Sequence, residues 1–260
     1  MNISGLWDNS NIKTLETSGS FRVLEYESDK SITSASDAMS AWFQKQMGMC
    51  KRQLAVNCTD GVVLQAGAMQ WIAGNVKSTS NVKGVGDLLG KALAGKATGE
   101  SAVKPLYKGR GLLFTEPTYK FLLLEEVSEH GGLVITDGMF VACDASLNLS
   151  IAFPKSISGA LMGGQGIANM KFSGKGVVAL ESSVPRSEII KVDLTGDEDL
   201  VLDGPYALMW DDELTMTVEK SGKSLLGSAV SGEGFVNVFR GTGSVWLSVA
   251  GGKPAGRLTI

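Results

Sequence analysis

Gly109-Arg110-Gly111-Leu112-Leu113-Phe114, Gly174-Lys175-Gly176-Val177-Val178-Ala179 and Gly241-Thr242-Gly243-Ser244-Val245-Trp246 are three copies of one pattern. Each pairs a Gly-x-Gly with an apolar run, and reads as a turn feeding a strand. The copies lie 65 residues apart (109 to 174) and then 67 (174 to 241). A second set of glycines, Gly67, Gly138 and Gly204, follows the short apolar runs Val62-Val63-Leu64, Leu133-Val134-Ile135 and Leu200-Val201-Leu202 at spacings of 71 and 66. A third set leads from Gly99-Glu100-Ser101 to Tyr107, from Gly164-Gln165-Gly166 to Phe172, and from Gly232-Glu233-Gly234 to Phe239. Each of these aromatics stands two residues before its Gly-x-Gly. Three landmark sets in one order at one period mark internal repetition of a structural unit.

The period predicts an all-β fold: one domain over residues 1–260 holding three β units of about 66 residues, at approximately 20–108, 109–173 and 174–250. A unit this small cannot bury its apolar face alone, so the copies are expected to pack with pseudo-threefold symmetry into a sandwich or prism-like body. Further strands are expected over 21–26, 52–57, 120–124 and 188–192 from their alternation. Thr59-Asp60-Gly61 reads as a hairpin turn. The first copy has no Gly-x-Gly of its own, and Phe21–Glu25 is expected to supply that strand. The Gly-interrupted apolar segments 88–95, 157–163 and 225–230 read as short helices or crossovers. The last Gly-x-Gly strand and Arg257–Ile260 are expected to close the structure. Residues 1–20 are polar and turn-rich, and read as a lead-in.

One stretch breaks the pattern. Between Ser36 and Met49, Met39, Trp42, Phe43 and Met47 fall at i, i+3, i+4 and i+8, which predicts an amphipathic helix inserted after the first strand. Ser36 or Asp37 can cap it and Gly48 can end it. The expectation is that it packs on the β core; a docking or membrane-surface helix is the other reading.

Of 260 residues 43% are hydrophobic, 20% are charged and 33 are Gly, the composition of a turn-rich folded protein. The net charge of −3 supplies no basic field to recruit nucleic acid or anionic lipid. Cys50, Cys58 and Cys143 are an odd, sparse set, which suggests reduced thiols and a cytoplasmic location. The N-terminus shows neither a signal-peptide pattern nor an Arg-rich leader, and no apolar run is long enough to form a transmembrane segment.

The runs Gly99-Glu100-Ser101, Tyr107-Lys108-Gly109-Arg110-Gly111, Val134–Phe140 and Asp144 resemble the altered inheritance of mitochondria protein 24 family. Gly232-Glu233-Gly234 and Gly241–Leu247 resemble it too. This family is also known as domain of unknown function 124, and the likeness covers about residues 20–250. It implies a β fold similar to that of the tryptophan RNA-binding attenuation protein, built from three repeats in one chain. Eukaryotic members are linked to organisation of the mitochondrial inner membrane, and this chain looks like a bacterial, cytoplasmic relative. The resemblance carries no catalytic residue, and the helix at 36–49 departs from its pattern.

Chemical constellations are sparse. A dinucleotide fingerprint needs a further Gly three residues after the second, where this chain has Phe114, Ala179 and Trp246. Gly222-Lys223-Ser224 ends like a phosphate loop, but Thr217 stands where that loop needs its first Gly. The one histidine, His130, lies beside Gly131-Gly132 in a turn, with no nucleophile elbow to serve. Cys50 and Cys58 are too far apart for a zinc knuckle. The acidic clusters Asp197-Glu198-Asp199 and Asp211-Asp212-Glu213 lack calcium-loop spacing and read as solvated carboxylates. Lys104, Lys108, Arg110, Lys171 and Lys175 gather near the repeated glycines, yet the acidic balance weighs against RNA binding.

These readings assign no catalytic, cofactor-binding or metal-binding residue and no cofactor. They leave Gly67, Gly138, Gly204, Gly109, Gly111, Gly174, Gly176, Gly241 and Gly243 as structural turn positions. The expected function is a non-enzymatic scaffold or assembly protein, homo-oligomeric and open to protein partners. The alternative is a small-molecule or lipid-binding module, suggested by 10 Met and the aromatics. A hydrolase using an acidic pair, or an RNA binder, ranks below both.

Overall fold

Short runs of Leu, Val, Ile and Phe, punctuated by Gly and Asp, fold into strands wherever both faces of the run find cover. The computed structural model describes residues 2–79, 104–154, 169–220 and 235–249. In chain order the elements are β1 (Ile12–Ser18), β2 (Phe21–Tyr26), α1 (Ala35–Gln46), β3 (Lys51–Asn57), β4 (Val62–Leu64), β5 (Met69–Thr79) and β6 (Leu106–Thr115). Next come β7 (Phe121–Glu126), β8 (Leu133–Ile135), β9 (Phe140–Asp144), β10 (Asn148–Ala152), β11 (Asn169–Ser173) and β12 (Val177–Ser182). Then follow β13 (Ile189–Thr195), β14 (Leu200–Leu202), β15 (Ala207–Asp211), β16 (Thr215–Lys220), β17 (Phe235–Arg240) and β18 (Thr242–Ser248). Short 3-10 turns occupy Val127–His130 and Arg186–Glu188. The protein is therefore mostly β, as the sequence predicts.

Among the described residues the strands form three sheets. The first runs β1-β2-β3-β6-β4-β9-β12-β7, with β5 also paired to β6. The second runs β10-β11-β8-β15-β18-β13, and the third β14-β17-β16. The Gly-x-Gly strands are the hubs. Phe114 in β6 lies opposite Ala55 of β3 and Trp71 of β5. Ala179 in β12 lies opposite Leu124 of β7 and Ala142 of β9. Trp246 in β18 lies opposite Lys191 of β13 and Met209 of β15. The aromatics that precede them pair alike: Tyr107 with Val62, Phe172 with Leu133, and Phe239 with Leu200.

Several local expectations are corrected. β3 and β4 flank Thr59-Asp60-Gly61 but do not form a hairpin; each pairs with β6 instead. Gly109 and Gly111 sit inside the ten-residue strand β6, not in a turn. There β5 runs alongside without interruption, with Gly74 opposite Gly111. Residues 12–18 of the supposed lead-in form β1, which pairs with β2. β2 in turn covers the other edge of β3, through Phe21 opposite Val56 and Tyr26 opposite Lys51. The strand expected at 188–192 begins at Ile189, after a 3-10 turn. The segments 88–95, 157–163 and 225–230, the Gly-rich leads at 99–101, 164–166 and 232–234, the run 222–224 and the closing 257–260 lie outside the described residues.

The core crosses between the parts of the chain. One cluster joins Val63 of β4 to Leu133, Ile135, Phe140, Phe172, Val178 and Leu180, and on to Leu208 and Met209 of β15. A second fills the space among β2, β3, β4, β6, β7 and β12, around Phe21, Leu54, Val56, Leu64, Leu113 and Leu124. On the outer side, Leu6 and Leu24 pack with Phe114, whose ring stacks on Trp71 at 3.8 Å between centroids.

Candidate functional site

The helix is where the molecule exposes what a folded chain normally hides. α1 starts one residue earlier than expected, at Ala35, because Ser34 rather than Ser36 or Asp37 is the cap. The Ser34 Oγ accepts the Asp37 N–H at 3.2 Å and donates to Asp37 Oδ2 at 2.7 Å, satisfying one of the helix's orphan donors. The helix ends at Gln46, with Met47 as its C-cap and Gly48 following at φ +70°. None of its residues is buried. Met39, Trp42, Phe43 and Met47 are 64%, 59%, 58% and 77% exposed, so packing on the β core is corrected. The Trp42 and Phe43 rings meet edge to face at 5.0 Å.

A single cation moors the helix's exit. Arg52, buried in β3, donates from Nη2 to the carbonyl oxygen of Gly48 at 2.9 Å and from Nη1 to those of Cys50 and Lys120. It also pairs with Glu25 at 2.6 Å, and its guanidinium lies over the Phe121 ring at 4.2 Å. Five interactions on one side chain lock residues 48–52 onto the sheet, and a buried cation needs such partners.

Between α1 and the sheet runs an open groove. Ile32, Ala38, Ala41, Trp42 and Met49 supply its apolar wall, and Tyr26, Cys50 and Tyr119 line it from the strand side. One ion pair sits in it: Lys51 Nζ to Asp29 Oδ2 at 2.6 Å. The Tyr119 hydroxyl donates to Asp29 Oδ2 at 3.1 Å, and the Ser31 N–H donates to Oδ1 at 2.9 Å. Lys51, then Ser31 and Tyr119, hold the Asp29 carboxyl well below the usual carboxylate range. Burial pushes the Tyr26 and Cys50 pKa values up, so both groups stay protonated at neutral pH. A second, more polar pocket adjoins it past Lys51, where the Tyr26 hydroxyl donates to Gln53 Oε1 at 2.7 Å. Gln53 in turn donates to Gln70 Oε1 and the Thr115 carbonyl, both at 2.8 Å. This arrangement suits binding an apolar group beside a neutralised ion pair.

The residues weighed from sequence are dispersed. Glu198 accepts from the N–H and hydroxyl of Thr195, and Asp199 pairs with Arg240 at 2.8 Å. Asp211 accepts the Ser244 N–H at 2.8 Å, while Asp212 pairs with Lys171. The two acidic clusters are thus engaged with separate local partners. Among the described residues, no three His, Cys, Asp or Glu side chains gather as a metal group. Lys104 is buried, bonded to Gln65 and lying over the Phe140 ring at 4.5 Å. Lys108 and Arg110 face out from β6, opposite Lys77 and Asn75. Cys58 and Cys143 are buried free thiols; desolvation pushes Cys58 up to about 11 and Cys143 higher still. His130 ends the 3-10 turn at 127–130. Gly67, Gly138 and Gly204 have φ of 82°, 84° and 120° in the turns that follow β4, β8 and β14. Among the described residues no helix is long and apolar enough to cross a membrane.

Sequence reasoning found the helix that walls the groove, with Trp42, and missed the polar groups that face it. Asp29, Lys51 and Tyr119 have no periodic or motif signature, and 90 residues separate Asp29 from Tyr119. A lysine opening a strand just after a Gly-terminated helix was the one available signal.

The family model described as mitochondrial biogenesis AIM24 matches residues 43–249. An uncharacterized protein of Streptococcus pyogenes serotype M6 is 28% identical over 193 residues, which is 72% of this chain and 75% of that protein. A crystal structure of a Streptococcus pyogenes protein is similar at a TM-score of 0.55 and 26% identity, covering 78% of this chain and 89% of that one.

Proposed function

The chain belongs to the mitochondrial biogenesis AIM24 family, and from that premise we propose that it is a non-enzymatic assembly protein that works as a homo-oligomer. The observation that carries this reading is the uncovered face of α1. Met39, Trp42, Phe43 and Met47 stand in solvent on one short helix moored by Arg52. An apolar patch of this kind, on an element that gives nothing to the core, marks a contact surface. Tryptophan and methionine are also enriched in protein interfaces. The recurring hub pairings support three repeated β units packed with pseudo-threefold symmetry. The likeness to the tryptophan RNA-binding attenuation protein and the cytoplasmic location belong to the same reading, the first supported by the antiparallel β units and the second by the sparse thiols.

Native mass spectrometry of the untagged protein tests it. The expected result is a defined multiple of 27.3 kDa that falls to the single chain in the Phe43→Ser/Met47→Ser variant, with an unchanged far-ultraviolet spectrum. A strict monomer for the unaltered chain that also captures no partner rejects it. A second reading, a small apolar ligand in the groove, is favoured by the wall of Ile32, Trp42, Met49 and Tyr119. Extra mass lost on denaturation would move that reading ahead.

A further inference from the structure

Three short strands hold equivalent places and have different fates. β4, β8 and β14 are each three residues long, and on one edge they pair alike, with β6, β11 and β17. On the other edge β4 pairs with β9, through Val62–Asp144, Val63–Cys143 and Leu64–Ala142. β8 pairs with β15 in the same way, through Leu133–Asp211, Val134–Trp210 and Ile135–Met209. Backbone bonds extend both seams. The Gln65 N–H donates to the Val141 carbonyl at 2.8 Å, and the Thr136 N–H to that of Leu208 at 2.9 Å. At the other end the Ala145 N–H donates to the Gly61 carbonyl and the Asp212 N–H to that of Gly132, both at 3.0 Å. Among the described residues no strand pairs with the second edge of β14, and its central Val201 is 54% exposed where Val63 and Val134 are buried.

The complement of β14 is β5. Val141 and Leu208, whose carbonyls accept the seam bonds, are bulged residues. Each is skipped in the pairing with its hub strand, between Phe140 and Ala142 and between Ala207 and Met209. β5 carries the same bulge at Gln70, between Met69 and Trp71. Counting from the bulge places Trp71, Ile72 and Ala73 in the seam. Among the described residues β5 pairs only with β6, so its second edge is uncovered as well.

The packing of the central valines identifies the chain that supplies this edge. Val63 and its partner Cys143 are buried in the cluster around Leu133, Ile135 and Phe172. Val134 and its partner Trp210 are buried in the next, around Phe239, with Leu200 and Leu202 against it. Each valine fills the core that holds the following triplet. A third step of this kind leads back to the first core, which holds Val62 and Leu64 and against which Ile72 already packs. We infer that β14 closes on the β5 edge of its own chain, with Leu200, Val201 and Leu202 opposite Ala73, Ile72 and Trp71, as a clasp that turns an open row of sheets into a ring. The same register brings the acidic turn Asp197-Glu198-Asp199 alongside Gly74–Val76, beside the exposed cations Lys77 and Arg110. Both edges belong to one molecule, so closure runs at an effective concentration on the order of millimolar. It also hides an apolar edge that would otherwise recruit foreign strands. The inference rests on the pseudo-threefold packing in the reading above and leaves α1 as the surface for assembly.

Disulfide trapping within the chain tests it. Residues directly opposite across antiparallel strands lie within disulfide reach. In a Cys50→Ser background, the Ile72→Cys/Val201→Cys protein is oxidised mildly at high dilution, denatured and weighed. The expected product is a single chain lighter by two hydrogens, with the peptides carrying positions 72 and 201 linked. Its yield should be at least tenfold above a control that pairs Val201→Cys with exposed Leu15→Cys. A yield no higher than that control overturns the clasp, and so does a disulfide-linked dimer as the main product. Should the double variant not fold, amide exchange in the unaltered chain decides. The Asp203 and Gly74 N–H groups hold the places of those of Thr136 and Asp212 and should be protected by the Gln70 and Asp199 carbonyls; exchange of both as in an unstructured peptide overturns the clasp. The two proposals fail separately. A linked single chain that is a strict monomer by native mass spectrometry and captures no partner removes the assembly reading and keeps the clasp, while an oligomer without the link does the reverse.

Discussion

Asp29 is the residue on which the groove turns, since it receives Lys51, Ser31 and Tyr119 from three directions. Its pKa is depressed on folding, with the Lys51 contact as the largest cause. A carboxyl depressed in this way stabilises the fold fully above its unfolded value, about pH 4. That contribution is lost as pH falls toward the lower folded value. Asp29→Asn is therefore expected to lower the urea midpoint at neutral pH, and the gap to the unaltered protein should narrow steadily below about pH 4. Urea titrations at a series of pH values check this; a gap that stays constant into acid would show that the charge is not what matters. None of these partners was legible in the sequence, because side chains that meet across 90 residues leave no spacing to read. The glycines were legible for the opposite reason. At Gly109 φ is +148° and an added Cβ would stand 2.0 Å from the Asn75 carbonyl oxygen, so the position tolerates one residue type and repeats as a visible mark.

The element scale separates pattern from context. The i, i+3, i+4, i+8 spacing located α1 because it reports which residues share a face. It says that the face needs cover and is silent on who provides it, which is why packing on the chain's own core was a wrong inference. The Asp60-Gly61 turn misled in a similar way: a tight turn places two strands in sequence, yet β6 lies between them in the sheet. A twelve-residue helix without a buried face is marginal on its own, so its cap should matter locally and not globally. Ser34→Ala is expected to cost about 1 kcal/mol of helix stability. Faster hydrogen exchange over residues 38–47 and a weaker helical signal should follow, while the urea midpoint of the sheets moves by less than about 0.5 kcal/mol. A midpoint that falls by the full amount would place α1 inside the cooperative core.

At the scale of the whole molecule, the three Gly-x-Gly hub strands each gather their own set of partner strands. The period in the sequence disclosed those hubs, since each Gly-x-Gly strand must accept a strand on both edges. It did not disclose the seams β4–β9 and β8–β15, because β4, β8 and β14 are the same kind of apolar triplet whatever lies beside them. These seams tie the three hub-strand sets together: Met209 of β15 is opposite both Ile135 and Trp246 and belongs to the same buried cluster as Val63 and Phe140. A cavity there should be felt on both sides at once. Met209→Ala is expected to cost about 2–5 kcal/mol, and to move one transition rather than split off a first step. Tryptophan fluorescence and far-ultraviolet circular dichroism followed in the same urea series check this. Coincident curves displaced together mean the seams make one cooperative body. An early fluorescence phase in the variant, with the dichroism lagging, would mean that the part beyond β13 unfolds by itself and that the seam at β8 and β15 is the weakest joint in the chain.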